Sequence, residues 1–331
     1  MFGTAQARER AEVFGELAAM VRAGISIGEA LTVVAKGMPP SRMRSALMQA
    51  GREVSGGQAL GVSMERHQDI FSPLTLAMVQ VGERGGRLDE ALRGIADYFE
   101  RDFRLRSLLK RELTYPIILA VAILFIPLVG NMIRLWITRG LFSALAAATG
   151  QLLVYALVLG VPGTLAYLLI GNARRSRQGR EQIDRIRLSL PLIGSVARKL
   201  ALARFCRALA SLYSAGVLMG TALRLAGQAS GNAIVERELG GRARRVEAGA
   251  SLTEVLSESP LMPATVLSMF RTGERTGDVD AMAHNVADHL EREAETAIRQ
   301  MVVAITPVAV LIAGIIVALM VVGFYANLYS F

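Results

Sequence analysis

Two glutamates, Glu83 and Glu274, are the residues best placed for chemistry, because each lies in a glycine-rich turn with other acids nearby. A carboxylate in such a turn accepts hydrogen bonds from backbone amides, which holds the turn in shape. With further carboxylates it instead binds a cation or a protein partner, and Asp89, Asp278 and Asp280 are close in sequence. The sequence leaves both interpretations open and favours the first, in which each glutamate holds the turn that follows it.

Motifs of common reaction centres are absent from the sequence. There is no G-x-x-x-x-G-K-[ST] phosphate loop, no H-E-x-x-H motif and no paired cysteine motif. The three histidines, His67, His284 and His289, do not form a ligand set. We therefore predict no catalytic residue, no cofactor-binding residue and no metal site. Cys206 is the single cysteine, which excludes a disulfide within the chain.

Both glutamates belong to a segment that occurs twice. Nine residues, from the glycine turn through the next helix to a proline, recur at a shared offset of 191 positions. Glycine adopts positive φ without a Cβ clash, so the duplicated turn predicts a sharp bend before each helix. The turn residues are Gly82, Glu83, Gly86, Gly273, Glu274 and Gly277, and the prolines are Pro116 and Pro307.

An amphipathic helix follows each turn. In the first copy, apolar residues at i, i+4, i+7 and i+11 mark one helix face, and the second copy repeats the pattern. Each helix then leads into an uncharged run that begins near its proline. The apolar positions are Leu88, Leu92, Ile95 and Phe99 in the first copy, and Val279, Ala283, Val286 and Leu290 in the second.

Composition and charge-free runs define the fold class. The chain has 331 residues, of which 52% are apolar, and three runs are long enough to cross a bilayer. We predict an all-α membrane protein with two homologous six-helix cytoplasmic bundles and three transmembrane helices. The bundles are predicted at residues 1–114 and 171–300, the transmembrane helices at 115–137, 152–170 and 301–328, and a periplasmic loop at 138–151. No cleavable signal peptide is expected at the N-terminus.

Basic residues are concentrated beside the apolar runs. Between Asn172 and Arg204 there are nine arginines or lysines and two acids, directly after the second run. Cytoplasmic flanks of membrane helices carry such an excess, and it attracts anionic lipid. The formal net charge of +9 also suggests nucleic acid, but the position of the charges favours the membrane surface. We therefore predict anionic lipid as a partner and no nucleic acid.

The duplicated G-E-x-x-G turn, the prolines and the order of domains and spans resemble the type II secretion F-domain family, the GspF/PilC-like inner-membrane platform proteins. The resemblance extends from about Phe14 to the C-terminus. It implies six-helix cytoplasmic domains and a multi-pass protein of the bacterial inner (cytoplasmic) membrane. It also implies a scaffold, not an enzyme, that couples a hexameric secretion or pilus ATPase to polymerisation of pilin or pseudopilin.

The resemblance also implies two further kinds of partner, namely other inner-membrane assembly proteins and further copies of the chain. Because little sequence precedes the first repeat, we expect the chain to resemble the shorter platform proteins of type IVb or conjugative thin pili more than the longer ones. A face on the first amphipathic helix is the candidate contact with the ATPase. It consists of Arg87, Glu90, Arg93, Asp97 and Arg101.

Two other functions remain as alternatives. A small multi-span transporter requires ionisable residues inside its spans and often has inverted repeats, whereas the second and third spans have none and the repeats run in the same direction. A membrane-bound enzyme requires a convergent set of reactive side chains, which the sequence does not supply. Capture of an ATPase from a cell extract would favour the platform over both alternatives.

The charge distribution predicts that the N-terminus is cytoplasmic and the C-terminus periplasmic. Reporter fusions at Gly150 and Ser330 are expected to give the periplasmic signal, and fusions at Gly179 and Gly249 the cytoplasmic one. Activity of a cytoplasmic reporter at Gly150 would contradict the arrangement with three spans.

Overall fold

The computed structural model of the chain describes residues 3–173, 176–190 and 193–328. Within these ranges the chain is helical with no strand, and the fold is the all-α one that the sequence predicts. Arg174 and Arg175 of the basic segment lie outside the described residues, as does Ser330.

The first repeat begins with five helices, and serine side chains cap three of them. Ser26, Ser41 and Ser72 each accept a hydrogen bond from a backbone amide in the first turn that follows. The helices are α1 (Thr4–Arg22), α2 (Ile27–Gly37), α3 (Arg42–Ser55), α4 (Leu60–Glu65) and α5 (Pro73–Arg84).

A long helix, α6 (Leu88–Arg139), follows and contains Pro116 and Pro127 within it. It ends at Gly140, whose φ is 86°, and α7 (Leu141–Tyr155) begins at once. Residues 138–151, expected to form a loop, are therefore mostly helical. The physical reason is their content of alanine and leucine, the strongest helix formers. A π-helical stretch (Ala156–Gly160) and α8 (Val161–Ala173) complete this region.

The second repeat has the same order of elements after α9 (Arg177–Ser189), but its third helix is broken. Where α3 is continuous, the second repeat has α12, a 3₁₀ turn (Gly240–Arg242) and α13. The backbones at Gly227 and Gly240 approach so closely that a Cβ on Gly227 would lie 2.8 Å from the Gly240 Cα atom. The helices are α10 (Ile193–Ser214), α11 (Met219–Ala229), α12 (Ala233–Glu238), α13 (Ala243–Glu247), α14 (Leu252–Ser257), α15 (Ala264–Thr276) and α16 (Val279–Leu328).

The helices form two compact units. One unit contains the described parts of Met1–Ser107 and Leu188–Glu295, so it includes both repeats. Its core in the first repeat is an aromatic cluster in which the Phe14 ring stacks on Phe99 and meets the edge of Phe71. Phe205 and Phe270 are fully buried in the second repeat. The amphipathic stripes are buried as their spacing predicts, with Leu92, Ile95, Val286 and Leu290 at most 1% exposed.

The other unit contains the apolar segments, in Leu108–Arg187 and the described part of Thr296–Phe331. Within the described parts of the chain, two helices are long and apolar enough to cross a membrane, within Leu88–Ile137 and Val279–Leu319. The predicted second span, 152–170, is helical but is divided between α7, the π-helical stretch and α8. A polar chain joins α6 to α7, because the Asn131 amide donates to Gln151 at 3.4 Å and Gln151 donates to the Tyr155 hydroxyl at 2.8 Å.

The turn that precedes each long helix depends on a glycine in the left-handed region. Gly86 has a φ of 67° and Gly277 a φ of 74°. A Cβ added at either position would meet no atom within 4 Å. The requirement for glycine there is therefore one of backbone conformation and not of space.

We expect Gly86→Ala and Gly277→Ala each to lower the free energy of unfolding by about 1 kcal/mol, because a Cβ is strained in the left-handed region. Chemical denaturation of the full chain in detergent, followed by circular dichroism, measures the change. Gly37→Ala is the matched control, since its added Cβ also meets no atom within 4 Å but Gly37 has no positive φ. Equal stability of all three variants would contradict the role of the turns.

Candidate functional site

The two turn glutamates bind the start of a short helix earlier in the same repeat. The Glu83 carboxylate accepts hydrogen bonds from the backbone amides of Leu60 at 2.6 Å and Gly61 at 3.0 Å. Glu274 repeats the arrangement at α14, where it accepts from the Thr253 amide at 3.3 Å and the Ser251 hydroxyl at 3.0 Å. A carboxylate at a helix N-terminus satisfies free amides and complements the helix dipole. The sequence suggested that each glutamate binds the backbone amides of the turn that follows it. The glutamates do bind backbone amides, but these belong to a short helix earlier in the same repeat.

The neighbouring acids have separate partners. Asp89 pairs with Arg22 at 3.3 Å, and Asp280 accepts a hydrogen bond from Ser214 at the equivalent place in the second repeat. Asp278 accepts from the Ala281 amide at 3.2 Å, which caps α16. Among the described residues, no group of three or more acids, histidines or cysteines is arranged to hold a metal ion. Each of these carboxylates therefore has a structural partner.

Gly82 and Gly273 are required for close packing between helices. A Cβ on Gly82 would lie 2.4 Å from the Ala91 Cβ atom, and one on Gly273 would lie 2.8 Å from the Met282 Cβ atom. These distances are too short for carbon atoms in contact. The duplicated turn thus has three components, namely a glycine for close approach, a glutamate for the short helix and a glycine at positive φ.

The two repeats meet through α5 of the first and the pair α10 and α11 of the second. The turn between α10 and α11 contains Gly216, where an added Cβ would lie 3.4 Å from the Val81 side chain. The equivalent turn of the first repeat, around Ile25, is exposed. The second repeat therefore uses this turn to contact the first repeat, whereas the first repeat does not use its equivalent turn to contact the second.

An ion-pair network crosses this junction. Arg101 on α6 contacts Asp288 at 2.7 Å and Glu291 at 3.2 Å on α16. Arg207 on α10 binds the same two carboxylates, with a distance of 2.6 Å to Glu291. Only 5% of the Arg207 side chain is exposed, so its charge requires these partners. We name Arg101, Arg207, Asp288 and Glu291 the junction network.

Electrostatics within the junction network favour the ionised carboxylate. Burial raises the pKa of Asp288, but the hydrogen bond and positive charge of Arg207, with the charge of Arg101, outweigh it and hold that pKa below its ordinary value. The pKa of Arg207 is raised, because its hydrogen bond and ion pair with Glu291 outweigh the opposing effect of burial. The paired ions are therefore the stable form at neutral pH.

A second ion pair between the repeats is also buried. Asp102 on α6 contacts Arg204 on α10 at 3.1 Å and Arg106 on its own helix at 2.7 Å. The side chains of Asp102 and Arg204 are 8% and 12% exposed. Burial, reinforced by the charge of Asp102, raises the pKa of the adjacent Tyr98, so its hydroxyl stays protonated. We name Asp102, Arg106 and Arg204 the buried triad.

A cleft of about 250 Å³ lies between the repeats, and α6 forms one of its walls. Arg87, Glu90, Asp97 and Arg101 line it from the first repeat, and Arg207 and His284 from the second. Three-fifths of the side chains of Arg87, Glu90 and Arg93 is exposed, and about half of that of Asp97. Four of the five predicted ATPase-facing residues thus form an exposed strip beside the cleft, whereas Arg101 belongs to the junction network.

The two prolines that the sequence predicts at the membrane entry lie within long helices. Pro116 and Pro307 both lie inside uninterrupted helices, α6 and α16, in the unit that holds the apolar segments. Proline inside a helix removes one backbone hydrogen bond, which membrane helices tolerate.

The described elements match those of one family over both repeats. A family model described as "Type II secretion system (T2SS), protein F" matches residues 14–132 and 205–326. The chain belongs to this family. The two matched ranges each contain a complete glutamate turn and most of the long helix after it, which agrees with the duplication.

Curated members of the protein F family cover nearly the whole chain. A type IV pilus assembly protein PilC of Thermus thermophilus is 33% identical over 95% of this chain and 80% of its own length. Type II secretion system protein F of Pseudomonas aeruginosa is 31% identical, over 98% and 83%. Type II secretion system protein F of Vibrio cholerae is 30% identical, over 91% and 77%. The chain is thus similar to proteins named for type IV pilus assembly and for type II secretion.

Sequence reasoning did not identify the junction residues of this protein F family member. The sequence shows that Asp97 and Glu100 recur as Asp288 and Glu291. The residues next to them in sequence do not indicate which copy is buried. Asp97 and Glu100 are more than half exposed, whereas Glu291 is 12% exposed and binds two arginines. One available signal was Arg207, which lies among residues of α10 that are otherwise apolar and buried.

We expect Asp102→Asn to lower the free energy of unfolding by about 3 kcal/mol, because removal of one charge leaves Arg204 buried without its carboxylate. Thermal unfolding of the full chain in detergent, followed by circular dichroism, measures the loss. Asp97→Asn is the matched control, since it removes an exposed ion pair with Arg93 and should change stability by less than about 1 kcal/mol. Equal midpoints for the two variants would show that the buried triad does not hold the repeats together.

Proposed function

We propose that this chain is the inner-membrane platform of a type IV pilus or type II secretion machine. In this proposal it couples a cytoplasmic assembly ATPase to polymerisation of pilin or pseudopilin, and it is not itself an enzyme. The family match over both repeats is the observation that carries the proposal. Relatives named for both kinds of machine support it equally.

The membrane arrangement is part of the proposal. Helices α6 and α16 each begin in the unit of the repeats and end in an apolar segment. With 152–170 as a further span, the two repeats lie in the cytoplasm and the C-terminus in the periplasm. The excess of basic residues between Asn172 and Arg204 supports this orientation.

A platform without a nucleotide-binding motif requires energy from a partner. A hexameric secretion ATPase is the proposed source, and pilin or pseudopilin, other inner-membrane assembly proteins and further copies of the chain are the proposed neighbours. The exposed strip of Arg87, Glu90, Arg93 and Asp97 supports an electrostatic contact, because surface charges steer association and set its register. The two arginines pair with the two acids at 3.7 Å and 3.2 Å, so the strip presents both signs of charge side by side.

The structure also determines which form of the protein to test. Residues 1–110 alone would expose α5 and leave Arg101 and Asp102 without their partners in the second repeat. The full chain in detergent or nanodiscs is therefore the suitable sample.

We expect Arg87→Glu with Arg93→Glu to weaken binding of the cognate ATPase at least tenfold, because two favourable contacts become repulsive. Binding of the purified full chain is measured by biolayer interferometry, and pilus or secretion assays in cells measure assembly. Higher salt should weaken the parent complex, since exposed charges are screened.

Arg8→Glu with Arg42→Glu is the matched control. Both of these arginines are also exposed and ion-paired, to Glu12 and Asp69, and lie elsewhere on the first repeat. The control should bind and assemble like the parent. Normal assembly by a stably folded Arg87→Glu, Arg93→Glu variant would exclude the strip, and failure of the parent chain to bind any secretion ATPase would count against the platform itself.

A further inference from the structure

Helix α9 has an apolar edge that is exposed. Ile183, Ile186 and Leu190 follow i, i+3 and i+7 spacing, so at about 100° per residue they fall in a sector about 60° wide. Ile186 is 62% exposed, Leu190, just after the helix, is 43% exposed, and Ile183 is half-buried. Exposed branched side chains at such spacing form a continuous apolar strip in contact with solvent.

Charges on α9 are arranged about that edge. Arg180 is exposed and lies about 60° around the helix from Ile183, so it borders the apolar edge. Glu181 and Asp184 lie about 100° or more from Ile183, away from the apolar edge. An apolar edge bordered by arginine, with acids turned away, is the pattern of helices that lie in a membrane interface.

The position of α9 in the chain also limits where it lies. It begins at Arg177, four residues after the last residue of α8, Ala173. At 3.8 Å between consecutive Cα atoms, its start lies at most about 15 Å from the end of α8. Since α8 ends the second apolar segment, α9 begins within reach of the head groups.

We propose that α9 lies in the plane of the cytoplasmic membrane surface, with Ile183, Ile186 and Leu190 among the acyl chains, and binds the head groups of anionic phospholipid through arginine. The side of the membrane rests on the proposed function, whereas the interfacial position rests on the pattern of α9 and on its short connection to the apolar segment that ends with α8. Arginine is suited to this because its apolar stem remains in the interface while its guanidinium reaches the phosphates. The sequence predicted that the basic segment attracts anionic lipid. The proposal assigns that lipid contact to one edge of α9.

Spin labels on the full chain in nanodiscs test the proposal. Ile186→Cys places a nitroxide on the apolar edge, and Gln178→Cys places one on the polar side of α9, at least 80° around the helix from each of the three apolar residues. Native Cys206 does not interfere, because it is buried and burial raises the pKa of its thiol. In discs of phosphatidylcholine with phosphatidylglycerol, the ratio of oxygen to nickel-chelate accessibility should be several-fold higher for Ile186→Cys than for Gln178→Cys.

The charge component is tested separately. Adding Arg180→Glu to Ile186→Cys should lower the accessibility ratio in discs with phosphatidylglycerol and leave it nearly unchanged in phosphatidylcholine alone. Gln182→Glu is a control that adds a negative charge without removing the arginine, and it should lower the ratio less. An equal effect of Arg180→Glu in both lipids would overturn the preference for anionic lipid.

Other results would overturn the interfacial position. Equal ratios at the two label sites would place α9 in water, and a label at Ile186→Cys inaccessible to both oxygen and nickel would indicate a protein contact instead. A separate experiment tests the cytoplasmic side of α9. An impermeant maleimide is added to whole cells, and it should not label Gln178→Cys. Labelling would overturn the cytoplasmic side even if the accessibility ratios were as expected.

Discussion

The arrangement of the two repeats depends on charges that are removed from water between them. Arg207 and Arg204 project from α10 into a junction where each is largely buried. A buried guanidinium is destabilising unless a carboxylate meets it with good geometry, and the carboxylates are supplied by α16 and α6. Because α6 belongs to the first repeat and α10 and α16 to the second, only one relative placement of the repeats satisfies all of these charges.

Duplication supplied two copies of each element, and the copies now serve different purposes. Arg22 with Asp89 in the first repeat corresponds to Ser214 with Asp280 in the second, so the contact between the first helix and the long helix is retained. In contrast, Asp288 belongs to the junction network while its counterpart Asp97 pairs with Arg93 on the exposed strip. The same helix face therefore closes the junction in one repeat and remains available to a partner in the other.

Local sequence patterns predicted the local structure. The helix stripes containing Leu92 and Val286 are buried, and Gly86 adopts positive φ. Each of these depends on residues within one or two helical turns, which the sequence displays directly. The helical segment α7 was missed, because an uncharged run between two spans was interpreted as a loop although its alanines favour helix.

Contacts between distant residues could not be obtained in this way. Glu83 binds amides 22 and 23 residues earlier in the chain, and Arg101 binds a carboxylate 187 residues later. Nothing in the local pattern around these residues distinguishes a buried pair from an exposed one. Partner identity in a tertiary ion pair is set by the packing of helices, and the packing emerges only when the whole chain is assembled.

The polar chain from Asn131 through Gln151 to Tyr155 has a consequence for biogenesis. In hydrocarbon an amide without a partner is unfavourable, and a hydrogen bond between helices there contributes about 1 kcal/mol. Gln151 lies beyond the bend at Gly140, so its hydrogen bond with Asn131 forms only when α7 lies beside α6. In the proposed membrane arrangement, this hydrogen bond favours insertion of α6 and α7 together, as a hairpin. The glycine that ends α6 makes that hairpin possible.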